Sequence, residues 1–117
     1  MLTIKKELDL YDFIDEFEML ENMSFENERE ALGIIFDFLS GLGDDMDYME
    51  IKDYIRFQVQ EMDADYFIEQ YGHLLKLDDD ADDDEKHEEI ERVLNYYTNY
   101  LGSYEYNGQT YYLFDEF

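Results

Sequence analysis

Apolar residues recur along most of this chain at helical spacing, and the pattern changes to alternation near the end. Between Leu8 and Leu20, the residues Leu10, Phe13, Ile14 and Phe17 fall three or four apart with Asp12, Asp15 and Glu16 on the other side, which predicts a short amphipathic helix. Asn22-Met23-Ser24 reads as a break. Ser24 or Asn27 would cap the next helix, and Asn27 has Glu30 at the capping-box position. That helix, through Leu32, Ile35, Phe36 and Leu39, is expected to close at Ser40-Gly41-Leu42-Gly43. Asp44-Asp45-Met46-Asp47 reads as a turn or cap, and Ile51, Tyr54, Ile55, Val59 and Met62 then form one helical stripe. Asp63 or Asp65 opens a shorter helix with Tyr66, Phe67 and Tyr71, interrupted by Gly72, and Leu74, Leu75 and Leu77 continue the apolar content. A last helix turns Ile90, Val93, Leu94 and Tyr97 inward and stops near Leu101-Gly102.

Residues 103–117 follow a different rule. Tyr104, Tyr106, Tyr111 and Leu113 alternate around Asn107-Gly108, a dipeptide that tolerates positive φ at both positions and so marks a tight hairpin. A lone hairpin is marginal in water, so it needs a helix face or a third strand, for which Leu2-Thr3-Ile4 is the candidate. The fold class is therefore α+β: four or five short amphipathic helices with a small antiparallel sheet, in a single domain spanning 1–117. The run Asp78 to Glu85 reads as an exposed acidic loop.

Composition adds the dominant feature. The chain carries 33 Asp and Glu against 8 Lys and Arg, a net charge of −25 on 117 residues. Disorder would also require low hydrophobicity, whereas 45% of the residues are hydrophobic and 18% aromatic, ample for a core. Compactness scaling gives a radius of gyration of about 13 Å, hence a body about 35 Å across. Duplex DNA of that length carries about 20 phosphate charges, so the two are matched in net charge.

The same balance excludes partners. The eight basic residues are scattered, so direct binding to nucleic-acid phosphates is not expected, and an anionic membrane repels such a surface. No apolar run approaches the length of a bilayer span, and Met1-Leu2-Thr3-Ile4-Lys5-Lys6 leads into acids rather than an apolar signal core. The absence of cysteine fits a reducing cytoplasm.

Little in the chain suits catalysis. There is no cysteine nucleophile, Ser24, Ser40 and Ser103 are the only serines, and neither His73 nor His87 sits in a catalytic motif. The expectation is a non-enzyme with no cofactor and no dedicated metal site. Asp78, Asp80, Asp82 and Glu89 do occupy positions of an EF-hand-like calcium register, but Asp83 stands where the turn glycine belongs and Glu85 where an apolar residue belongs. The carboxylate distribution is more telling. No base interrupts the acids between Lys6 and Arg29, and none follows Arg92, so the relief of like-charge repulsion that mixed surfaces provide is forgone. Tyr104, Tyr106, Tyr111, Tyr112, Phe114 and Phe117 read as a hairpin packed on one face, the other face being open to a partner.

In size, charge, lack of cysteine, carboxylate-studded helices and aromatic ending, the chain resembles the small acidic proteins of phages and mobile elements that mimic DNA, such as Ocr-like and ArdA-type antirestriction proteins and several anti-CRISPR proteins. The resemblance implies an inhibitor acting in the host cytoplasm, whose carboxylates stand in for phosphates in the cationic groove of a restriction enzyme or CRISPR effector. The candidate contact residues are Asp44, Asp45, Asp47, Glu50 and Asp53, the run Asp78, Asp79, Asp80, Asp82, Asp83, Asp84 and Glu85, and then Asp12, Asp15 and Glu16. A calcium-binding acidic protein and an interaction module without mimicry are the alternatives. The sequence identifies no particular target and leaves dimerisation open.

Overall fold

The apolar stripes become buried faces. A computed structural model of the chain describes residues 2–3, 7–8, 10–18, 25–42 and 48–117. Its elements run β1 (Leu2–Thr3), β2 (Glu7–Leu8), α1 (Leu10–Phe17), α2 (Glu28–Leu42), α3 (Tyr48–Phe57), β3 (Val59–Asp63), α4 (Ala64–Tyr71), a 3-10 turn (Gly72–Leu74), α5 (Asp83–Tyr97), β4 (Tyr100–Tyr106) and β5 (Gln109–Asp115). The class is α+β with short helices. The contacts of the span 1–117 divide it into two compact units, Met1–Val59 and Gln60–Phe117.

In the first unit, β1 and β2 pair antiparallel with Leu2 opposite Leu8. Helix α1 buries Phe13, Ile14 and Phe17, and the Phe13 ring lies 4.7 Å from Phe17 and 5.3 Å from Phe36 of α2. Asn27 caps α2, its Oδ1 accepting the Glu30 N–H at 3.3 Å while its carbonyl accepts the Ala31 N–H at 3.0 Å. Ala31, Leu32, Ile35, Phe36 and Leu39 form the buried face of α2, and each large apolar side chain so removed from water stabilises the fold by about 1.5–3 kcal/mol. The helix continues through Ser40 and Gly41 to Leu42; Gly43 and the expected turn at Asp44-Asp45-Met46-Asp47 lie outside the described residues. Helix α3 buries Ile51 and Ile55.

The predicted helical stripe from Ile51 to Met62 is corrected at its second half. Helix α3 ends at Phe57, where the Gln58 N–H closes on the Tyr54 carbonyl at 3.0 Å, and Val59 and Met62 belong to strand β3. Their spacing fits a helix, but pairing with the hairpin overrides local periodicity.

In the second unit, β3, β5 and β4 form a three-stranded antiparallel sheet with β5 in the centre. The third strand is thus β3; Leu2–Thr3 pairs locally with β2 instead. The hairpin turns at Asn107 (φ 52°) and Gly108 (φ 78°), between the paired Tyr106 and Gln109, as its dipeptide demands. A bulge at Leu101 shifts the register between the Tyr100–Phe114 and Gly102–Leu113 pairs. Phe67, Ile90, Val93, Leu94, Tyr112 and Phe114 make the core, with Met62, Ile68, Tyr71, Leu74, Leu75 and Tyr100 packed around it.

Helix α5 stops at Tyr97, not near Leu101-Gly102, because Thr98 and Asn99 bind the far strand. Thr98 Oγ1 donates to the Asp115 carbonyl at 2.7 Å and Asn99 Nδ2 to the Asp115 carboxylate at 2.8 Å. Tyr97, expected inside, is 47% exposed at the helix end.

Candidate functional site

The acidic run is built around the start of α5. The Ala81 N–H donates to the Asp78 carbonyl at 3.1 Å, closing a turn over Asp79 and Asp80. Asp82 is extended and caps α5: its Oδ1 accepts the Glu85 N–H at 2.9 Å, and its carbonyl accepts the Lys86 N–H at 3.0 Å. Asp83, Asp84 and Glu85 occupy the first helical turn. The expected loop over 78–85 therefore covers only 78–82. Helix formation over the last three acids has a physical cause, since carboxylates are favoured beside the unsatisfied N–H groups and positive dipole end of a helix.

All seven carboxylates of the run, Asp78, Asp79, Asp80, Asp82, Asp83, Asp84 and Glu85, are exposed. None is in an ion pair among the described residues. The helix behind them is fastened by other polar contacts. Arg92 donates to Glu89 at 2.7 Å and to the Leu74 carbonyl at 3.0 Å, and Glu89 also accepts the Lys76 N–H at 2.7 Å. The Arg92 guanidinium, followed by the Lys76 N–H, holds the Glu89 carboxyl below the usual carboxylate range. His87 pairs with Glu91 at 2.9 Å and shares a 2.7 Å hydrogen bond with the Tyr112 hydroxyl. Burial, assisted by the Glu91 charge, pushes the Tyr112 phenol up to about 12.

The remaining candidates belong to the first unit. Asp12 and Asp15 are exposed on α1, and Glu16 is in the same helix; Glu50 and Asp53 are exposed on α3. Asp44, Asp45 and Asp47 lie outside the described residues. The calcium register is not assembled: residues 83–89 are helical, Asp82 is spent on the cap, and Glu89 is held by Arg92 and Lys76. Among the described residues no group of three or more His, Asp and Glu is placed to hold a metal ion.

Comparison with protein-family models, with curated proteins and with solved structures finds no match for this chain. The site is therefore argued from its own chemistry. It is a rigidly capped, solvent-facing row of carboxylates that can accept hydrogen bonds and attract cations. Among the described residues, no helix is long and apolar enough to cross a membrane.

Two features of this region were not read from the sequence. The Glu89–Arg92 clamp on the 74–76 segment was signalled only by an i,i+3 acid–base pair. The rings of Tyr71, Tyr96, Tyr97 and Phe117 meet in space from three distant stretches of chain, which no local pattern reveals.

Proposed function

We propose that the chain is a DNA-mimic protein that inhibits a DNA-binding defence enzyme of its host, a restriction–modification enzyme or CRISPR effector, by occupying the enzyme's cationic nucleic-acid groove. The observation that carries this reading is the run of exposed carboxylates from Asp78 to Glu85 on the capped end of α5, none of them in an ion pair among the described residues, in a chain of net charge −25. A cation-lined groove built for phosphates binds a polyanion by releasing counterions and by charge-assisted hydrogen bonds, and carboxylates make both. Fixing the row on a helix end lowers the entropy that ordering a flexible tail would cost. Glu88 lies four residues beyond Asp84, about 6 Å along the axis, and extends the row.

The test is a DNA-cleavage assay with purified restriction–modification enzymes and CRISPR effectors. Inhibition is expected to be competitive with added duplex DNA and to weaken as salt rises. The variant Asp79→Lys, Asp80→Lys, Asp83→Lys, Asp84→Lys leaves the Asp82 cap in place and is expected to keep its circular dichroism spectrum. Its apparent affinity should fall by about a hundredfold or more. Inhibition that survives this reversal, or that excess duplex DNA does not relieve, rejects the reading.

A further inference from the structure

Four aromatic rings meet at the C-terminal end of α5. Tyr96 and Tyr97 touch edge to face with centroids 4.8 Å apart. Tyr97 is stacked with Phe117 at 6.2 Å and 18°, and Phe117 with Tyr71 at 4.7 Å and 20°. Tyr96 is 77% exposed and Phe117 39%. Scattered exposed rings are ordinary, but a contiguous group of them marks an interaction surface. The same helix presents Asp84, Glu85 and Glu88 to solvent toward its other end, from about 18 Å (Asp84) to about 12 Å (Glu88) from Tyr96 at 1.5 Å per residue. Arg92, between the two ends, is held by Glu89.

We propose that this face of the second unit docks an arginine-rich surface. The acidic end of α5 takes guanidinium groups as carboxylate pairs, and the exposed rings of Tyr96 and Tyr97, backed by Phe117, take further guanidinium groups on their free faces. The proposal rests on the inhibitor reading for the class of partner and adds that partner's chemistry. Charge complementarity selects the occupant: a second copy would bring another −25 against Glu88 and Glu116, and an anionic lipid surface would be repelled in the same way. Among cations, arginine suits both ends of the face. Its planar fork binds carboxylates in bidentate fashion and stacks on aromatic rings, whereas the lysine ammonium is a compact, strongly hydrated point charge.

The experiment titrates the full chain with oligo-arginine and oligo-lysine peptides of equal length over a range of salt. The arginine peptide is expected to bind about tenfold more tightly at each ionic strength. The Tyr96→Ala, Tyr97→Ala variant should remove that preference and leave the salt slope of oligo-lysine binding unchanged, while Tyr96→Phe, Tyr97→Phe should retain it. Equal binding of the two peptides by the parent chain overturns the proposal, as does a preference that survives the double alanine variant. A dimer in sedimentation that Tyr96→Ala dissociates also overturns it, because the rings would then belong to a second copy. Failure of the inhibitor reading is separate: it appears in the cleavage assay with the arginine preference intact.

Discussion

Helices α1 and α5 both carry exposed carboxylates, but α5 gathers them in its first turn, whereas α1 has Asp12 there and Asp15 near its other end. In α5, Asp82 caps the helix and Asp83, Asp84 and Glu85 fill its first turn, where unsatisfied N–H groups amount to about half a positive charge. In α1, Asp15 lies toward the C-terminal end, where unsatisfied carbonyls amount to about half a negative charge, and no basic residue stands in the last turn. The two helices are also seated differently. Helix α1 is set by the apolar contacts of Phe13, Ile14 and Phe17, whereas α5 adds the His87–Tyr112 and Arg92–Glu89 bonds to its buried stripe. Carboxylates are therefore cheapest to crowd together where a helix begins, and a surface that must hold a dense, fixed row of them has a reason to use that place.

The most damaging way to break this arrangement is to remove the core beneath α5. Leu94 is fully buried among Phe67, Ile90, Val93, Tyr112 and Phe114. Leu94→Ala should lower the unfolding free energy by about 2–5 kcal/mol, the lost transfer energy plus the cavity left behind. Denaturant unfolding measures it, and a loss below about 1 kcal/mol would show that α5 is not seated on a packed interior.

A smaller effect tests the polar joint between α5 and the hairpin. Because burial raises the Tyr112 phenol from 10.0 to about 12, the folded state binds this proton more tightly than the unfolded chain does. Its contribution to stability is fully present below pH 10 and is lost as pH rises toward 12. Stability measured against pH, with tyrosinate absorbance followed in parallel, should fall in that window, and Tyr112→Phe should remove that part of the fall. At neutral pH the same variant loses only the bond to His87, about 1 kcal/mol. A parent chain and a Tyr112→Phe chain with identical alkaline profiles would refute the assignment.

What could be read from the sequence was what local chemistry controls. Asn107-Gly108 marked the hairpin because both positions need positive φ, and the caps were narrowed to Ser24 or Asn27 and to Asp63 or Asp65; Asn27 and Asp63 take them because their side chains reach the N–H three residues on, as Asp63 does to Tyr66 at 2.7 Å. Val59 and Met62 misled because a helical interval does not exclude a strand whose hydrogen bonds come from β5. Within the candidate site, the exposure of residues 78–85 was legible from their charge. The helical state of Asp83, Asp84 and Glu85 was not, because it depends on the Asp82 cap and on a core some distance along the chain. The joining of Tyr71, Tyr96, Tyr97 and Phe117 is tertiary and leaves no local trace.

The smallest predicted effects give the sharpest form of the comparison, because they differ in sign. Asp83 sits in the first turn of α5 with Lys86 three residues further on. Asp83→Asn removes a favourable dipole interaction of about 0.3–1 kcal/mol and a favourable neighbour, Lys86, worth a few tenths more, so it should destabilise. Asp15 has Asp12 three residues before it and lies at the unfavourable end of α1. Asp15→Asn removes a like-charge neighbour and an adverse dipole interaction together, and it should stabilise by about 0.5 kcal/mol. Both substitutions remove one negative charge from a chain of −25, so relief of general repulsion favours each equally and cancels in the difference. Denaturant midpoints measured at low salt should move in opposite directions relative to the parent and draw together as salt is raised. If both variants shift the same way by the same amount, the position of a carboxylate along its helix has no bearing on how this chain tolerates its charge.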